Sequence, residues 1–261
     1  MPKFAANLGV LFTELPFEKR FAAAARNGFT AVELLFPYDH QPRDIAKWLD
    51  DSGLQNRGLN LWPGDFGAGE RGLASLPGRE SEFRDAVVRA LEYADATKTP
   101  TLHAMCGIVQ PGGDRAAHRA VYIDNLRFAA RELAKSNRIV LIEPINPRDI
   151  PGYFLNTQAD AHAIVDEVGE PNLKVQMDFY HAQIVEGDLA IKFKRHFSNI
   201  GHVQIAGVPD RHEPDDGEVN YSYLLRMLDE TGYTGWVGCE YRPRQTTEEG
   251  LGWMRPWSDG R

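Results

Sequence analysis

A chain of 261 residues that is 43% hydrophobic and 25% charged carries enough apolar material for a sizeable core and too much for disorder. Its net charge of −8, without any basic run, argues against a nucleic-acid partner, because phosphate-backbone binders draw their affinity from clustered Lys and Arg. Met1-Pro2-Lys3-Phe4-Ala5-Ala6-Asn7 lacks the apolar core of a signal peptide and no stretch is apolar enough to span a bilayer, so a cytoplasmic protein with no membrane partner is expected. Cys106 and Cys239 are too few for a disulfide framework and are read as reduced thiols, with Cys239 in the core.

Strand-like and helix-like segments alternate along the chain. Phe4 to Gly9 reads as a strand and Pro16 to Asn27 as a helix that Gly28 can end. Ala31 to Phe36, Arg43 to Asp51 and Gln55 to Trp62 follow as strand, helix and strand, and then a long Gly-rich loop. Glu82 to Lys98 is expected to be helical, with Phe83, Val87, Leu91 and Ala94 on one face, before a fourth strand from Thr101 to Cys106 and a helix from Asp114 to Asn137. Ala161, Ile164, Val165 and Val168 mark a further amphipathic helix closed by Gly169. Ala190 to Phe197 is a weaker one, Tyr221, Leu224, Leu225 and Leu228 repeat the spacing, and Thr247 to Met254 can close the ring. Eight strands alternating with helices over a length close to the roughly 250 residues of a (β/α)8 barrel point to an α/β protein made of a single TIM barrel over 1–261. A doubly wound open sheet is the runner-up, since alternation alone does not say whether the eighth strand meets the first.

Four of the apolar runs end in an oxygen-bearing side chain: Ile139-Val140-Leu141-Ile142 before Glu143, Val175-Gln176-Met177 before Asp178, His202-Val203 before Gln204, and Trp236-Val237-Gly238-Cys239 before Glu240. Each gap between tips holds one loop and one helix, so parallel strands would bring all four to one face, and a closed ring would aim them at one centre. A strand-end carboxylate is commonly a helix cap or a solvated loop charge, and for any one of these residues that is the better reading. For four together it is not. Glu143 precedes Pro144 and Asp178 precedes Phe179-Tyr180-His181, so neither stands before an obvious helical repeat and neither is expected to cap a helix.

Three carboxylates held this close without a cation would repel and take up protons. An all-oxygen set favours Mg²⁺ or Mn²⁺ over zinc or copper, which makes Glu143, Asp178, Gln204 and Glu240 the candidate metal ligands. A divalent ion chelated by a hydroxyl and the neighbouring carbonyl stabilises the enediolate formed when the α-proton leaves. Glu143 and Glu240 are the candidate bases on either side, each proton transfer contributing on the order of 10²–10⁴ in rate. Because a cation lowers the basicity of its ligands, Asp178 and Gln204 are expected to anchor the ion while the glutamates hold it lightly.

Around this centre, His181 could donate to a substrate oxygen, and His103 could point inward or simply pack. An acidic substrate needs a cation, for which Arg71 and Arg211 are candidates, although Arg211 has Asp210 and Glu213 nearby to pair with. Gly67-Ala68-Gly69-Glu70-Arg71-Gly72 matches a dinucleotide-binding pattern only formally. It does not follow its strand directly and no helix succeeds it, so it reads as a lid from which Glu70 or Arg71 reaches the substrate.

The chain also resembles the hydroxypyruvate isomerase family of xylose-isomerase-like barrels, and within it the 2-oxo-tetronate isomerase branch. The likeness runs nearly end to end, through Phe4-Ala5-Ala6-Asn7-Leu8, Leu35-Phe36-Pro37-Tyr38, Ala68-Gly69-Glu70-Arg71-Gly72, Ile142-Glu143-Pro144, His202-Val203-Gln204-Ile205-Ala206 and Gly235-Trp236-Val237-Gly238-Cys239-Glu240-Tyr241. The resemblance implies Glu143 and Glu240 as the proton donor/acceptor pair and Glu143, Asp178, Gln204 and Glu240 around a divalent ion. Ketose 3-epimerases of the same superfamily usually carry histidine where this chain has Gln204. The expectation is therefore an isomerase of a short hydroxy-oxo acid, with a ketose 3-epimerase or a non-catalytic sugar-acid binding protein as alternatives. Zinc phosphodiesterases on this barrel, such as endonuclease IV, need several metal-binding histidines and a basic surface. A homo-oligomer is compatible with everything in the sequence.

Overall fold

The computed structural model describes residues 1–257. Eight parallel strands close into a barrel in chain order: β1 (Lys3–Asn7), β2 (Ala31–Leu34), β3 (Gln55–Asn60), β4 (Thr101–His103), β5 (Ile139–Ile142), β6 (Leu173–Asp178), β7 (Ile200–Ile205) and β8 (Trp236–Cys239). The helices are α1 (Phe17–Arg26), α2 (Pro42–Ser52), α3 (Glu80–Thr97), α4 (Arg115–Ala134), α5 (Gln158–Val168), α6 (Phe179–Val185), α7 (Leu189–His196), α8 (Tyr221–Glu230) and α9 (Thr247–Gly250). Ala5 of β1 lies opposite Gly238 of β8, which closes the ring and excludes the open sheet.

Local chemistry explains most boundaries. Asp114 caps α4 by accepting from the Ala116 and Ala117 amides, Thr157 caps α5 and Asn220 caps α8. Gly28 follows α1 at φ +86°, and Gly169 ends α5 at φ +72°, a left-handed conformation that costs glycine little. The first four strands stop two or three residues sooner than expected, at Asn7, Leu34, Asn60 and His103. The fourth ends at His103 rather than Cys106, because the chain then turns under the lid, where Gly72 bridges Cys106. Thr247 to Met254 is not one helix: α9 gives way to a 3₁₀ stretch over Leu251–Trp257. α6 was not expected from the sequence, since its 7 residues are too few to show a helical repeat.

Strand β5 (Ile-Val-Leu-Ile) reads as a continuous apolar run, as befits a strand covered by helices outside and packed inside. The barrel interior is less usual. Branched apolar residues commonly fill that space. Here Asn7, Glu33, Asn60, Thr101, His103, Gln176, His202 and Gln204 surround a small gap within it. A floor of side chains able to hydrogen-bond therefore lies directly beneath the carboxyl ends of the strands.

Candidate active site

Above that floor opens a cavity of about 570 Å³. Glu143, Gln176, His181, Arg211 and Glu240 line it. Glu143 and Glu240 stand one residue past β5 and β8, while Asp178 and Gln204 lie within β6 and β7. Side chains two residues apart on a strand share a face, so Gln176 and Asp178, or His202 and Gln204, point inward together. All four predicted tips converge, and all are buried or nearly so.

Asp178 corrects one expectation: it does cap a helix. Its Oδ1 accepts from the Tyr180 amide 2.9 Å away at the start of α6. The cap uses one oxygen only. Oδ2 is buried and makes no hydrogen bond, lying 3.8 Å from Arg211 Nη2 and 3.6 Å from His181 Nε2.

Glu240 is held from several sides. Arg211 Nη2 donates to Oε1 at 2.7 Å, while Gln204 Nε2 and Asn7 Nδ2 donate to Oε2 at 2.8 and 3.1 Å. Burial still pushes its pKa up, to about 7, against the pull of Arg211. Arg211 pairs with neither Asp210 nor Glu213, the neighbours available in sequence. It reaches Asp149 Oδ2 at 3.2 Å as well as Glu240. Burial works against its charge, but the carboxylates around it outweigh that and raise its pKa. Its backbone has φ +61°, a strained value for a non-glycine residue. The loop carries it through hydrogen bonds from the Arg211 amide to the Gly207 carbonyl and from the Arg242 amide to the Arg211 carbonyl.

Glu143 has fewer donors. His103 Nδ1 lies 3.6 Å from its Oε2, and burial keeps that imidazole neutral by lowering its pKa to about 3. Burial, then repulsion from Glu240 and Asp178, raises the pKa of Glu143 well above the usual carboxylate range. Asp178 is raised to about 6, by burial first. His181 is kept neutral by burial and by Arg211. Its Nδ1 faces the Asn146 side-chain NH₂ at 2.6 Å and the Asn146 backbone N–H at 3.4 Å. Two donors on Nδ1 leave the proton on Nε2, so His181 presents an N–H toward Asp178 and the cavity.

The Gly-rich segment 67–72 is a loop of turns, and the next helix, α3, begins only at Glu80. Arg71 lines the cavity, its guanidinium 3.7 Å over the Phe66 ring and its Nη1 bonded to the Phe66 and Glu70 carbonyls. Glu70 does not reach the cavity. It pairs with Arg79 and accepts from the Asp65 amide at 2.5 Å, so it staples the lid instead of touching a substrate. His103 points inward and lines the cavity.

The donor chemistry suits a divalent cation. Glu143, Asp178 and His181 bring polar atoms within 4.8 Å of one another; with its proton on Nε2 His181 offers a donor there and the two carboxylates offer the lone pairs, and Asp178 Oδ2, buried without a hydrogen bond, is the kind of anionic atom that a cation satisfies. Gln204 has Oε1 turned to Gln176 Nε2 at 2.7 Å, which leaves a second lone pair. The sequence reading missed Asn7, Glu33, Gln176 and His202, although stepping back two residues from Asp178 and Gln204 finds two of them. Asn146 and Asp149 carry no such signal, because they act from a loop.

Residues 21–257 match the family model described as the xylose isomerase-like TIM barrel, and the chain belongs to that family. It is 57% identical to a 2-oxo-tetronate isomerase of Cupriavidus necator over 98% of this chain and 99% of that protein. It is 45% identical to the hydroxypyruvate isomerase of Escherichia coli over 98% and 100%. A crystal structure described as an AP endonuclease, family 2, from Brucella melitensis superposes with a TM-score of 0.97 at 52% identity, covering 99% of this chain and all of that one. Within its family the chain is an isomerase, as these curated relatives are.

Proposed function

We propose that the protein interconverts the ketone and aldehyde forms of a short hydroxy-oxo acid, hydroxypyruvate or a 2-oxo-tetronate, through an enediol. The observation that carries this reading is the pair of buried carboxyls, Glu143 and Glu240, facing one cavity with raised proton affinities. One glutamate takes the proton from the carbon beside the carbonyl, and the other returns a proton to the adjacent carbon. Groups whose pKa values are lifted toward neutrality can do both. Asp178 and Glu143, with Gln204 and Glu240, would hold Mg²⁺ or Mn²⁺. Such an ion supplies Lewis-acid polarisation of the substrate carbonyl and charge neutralisation.

The His181 Nε2–H donates to a substrate oxygen. Arg71 holds the substrate carboxylate, because Arg211 is already committed to Glu240 and Asp149 whereas Arg71 makes no ion pair among the described residues. The lid that carries Arg71 closes over the substrate and excludes water. A phosphodiesterase reading fits less well, since the net charge is −8 and the clustered ligand atoms include one histidine against two carboxylates. No helix of the described residues is long and apolar enough to cross a membrane. Separately, the two buried free thiols support a reducing compartment such as the cytoplasm.

The test is to incubate purified protein with Mg²⁺ or Mn²⁺ in D₂O on hydroxypyruvate and, separately, on the 2-oxo-tetronates, with products followed by NMR. Aldehyde–ketone interconversion with deuterium incorporation is expected for at least one acid. Binding without turnover of any of them would overturn the reading.

A further inference from the structure

Glu33, on β2, is a buried carboxylate that neither lines the cavity nor belongs to the proton-transfer pair. Its oxygens are nonetheless fully used. Oε1 lies 2.5 Å from His202 Nε2, and Oε2 accepts from Gln204 Nε2 at 2.7 Å and, more weakly, from Asn7 Nδ2 at 3.4 Å. The same two amide nitrogens are the ones that donate to Glu240 Oε2. Two primary amides, from β1 and β7, thus each share their N–H groups between the carboxylate below and the carboxylate above.

A primary amide presents two donors on one end and an acceptor on the other, and a carboxylate repels the acceptor end. Glu33, together with Glu240, therefore sets which way Gln204 faces, and it adds to the hold on Asn7, whose Oδ1 also accepts from the Gly9 amide at 3.0 Å. With both NH₂ groups turned to the carboxylates, Gln204 Oε1 is directed to Gln176 and Glu240 is gripped at Oε2. β8 contributes by yielding space: a Cβ on Gly238 would fall 2.3 Å from Glu33 Oε1 and 2.7 Å from Gln204 Cγ. Stability does not require such an arrangement, because apolar side chains fill this layer in most barrels and a buried charge costs more than it returns unless it is well paired.

We propose that Glu33 is a positioning residue for the isomerisation, which orients Gln204 and Asn7 so that Glu240 is held in the geometry for proton transfer. This rests on the reading of Glu240 as one of the two proton-transfer groups. Its effect should be on the chemical step, since Glu33 touches no substrate.

The experiment compares wild type, Glu33→Gln and Glu33→Asp, with folding checked by circular dichroism. Side-chain amide NMR resonances are followed without substrate, those of Gln204 and Asn7 being identified by their loss in Gln204→Leu and Asn7→Ser. In wild type both NH₂ pairs should be shifted downfield and exchange slowly with water. In Glu33→Gln the Gln204 pair should move toward the free-amide position, kcat should fall about 10- to 100-fold, and KM should stay within about threefold. Glu33→Asp, which keeps the charge and shortens the reach, should fall between. Should Glu33→Gln fail to fold, His202→Gln loosens Glu33 from its other side and should shift the same resonances and lower kcat in the same sense. A folded Glu33→Gln with unmoved Gln204 resonances, or with wild-type kcat, overturns the proposal. If wild type turns over neither acid, the proposed activity fails, and the amide resonances by themselves decide whether Glu33 orients Gln204.

Discussion

The two sides of the cavity treat their glutamates differently. Glu240 receives a guanidinium and two amides by direct hydrogen bond, whereas Glu143 has the Gln176 amide and a more distant Arg211 to set against burial, a neutral histidine at 3.6 Å and two repelling carboxylates. Hydrogen bonds to a charged form favour it, and bare burial disfavours it. Glu240 is accordingly raised only to about 7, while Glu143 is pushed well above the usual range. Two carboxyls of like chemistry are thereby held in different surroundings, both with raised proton affinity. Environment rather than residue type divides their roles.

Neutralising each glutamate in turn should have the largest effect. Glu143→Gln and Glu240→Gln should each lower turnover by about 10²–10⁴-fold and abolish solvent-proton exchange at the substrate α-carbon, read by deuterium incorporation. If either variant retains wild-type exchange, the two-base scheme is wrong. Removing the ion comes next: chelation should silence the enzyme, and Mg²⁺ or Mn²⁺ should restore it, whereas a mere binding protein would hold its ligand regardless.

Arg211→Gln strips the Glu240 side of its counter-charge. Chelated protein carrying it should lose on the order of 3 kcal/mol of stability in urea titrations, since a buried carboxylate is left unpaired. Added divalent ion should recover part of that loss. A fully stable Arg211→Gln would show that the carboxylates need no internal cation. Arg71→Ala tests the lid alone, and a rise of about tenfold in KM with a smaller change in kcat is expected from one lost charged hydrogen bond.

The smallest effect is on pH. In chelated protein Glu240 keeps its proton up to about 7 when folded but loses it near 4.5 when unfolded. A group with a raised folded pKa contributes stability below its unfolded value that is lost as pH rises through its folded value. Thermal midpoints of chelated protein should therefore decline between about pH 4.5 and 7. Glu240→Gln should reduce that decline without abolishing it, because Asp178, raised to about 6, and Glu143 titrate with the same sign, and an unchanged slope in the variant would place the titrating groups elsewhere.

Much of the fold was legible because period and punctuation are local. The runs at Ile139–Ile142 and Trp236–Cys239 and the stops at Gly28 and Gly169 each depend on a few neighbouring residues. Four strand tips were legible for the same reason. Glu70 misled, since nothing near it in sequence shows that Arg79 claims it. α6 was invisible because its few residues carry no repeat, and with it the capping role of Asp178.

By itself, then, the sequence determined the alternation of strands and helices and which oxygen-bearing residues end the strands, because both follow from short-range geometry. That β1 meets β8, that Arg211 turns from its neighbours to Glu240 and Asp149, and that Glu33 lies beneath Gln204 and Asn7 emerge only when the barrel is assembled. Those facts depend on distances between residues far apart in the chain. Burial, which sets the proton affinity of each carboxyl, likewise exists only once the barrel has closed.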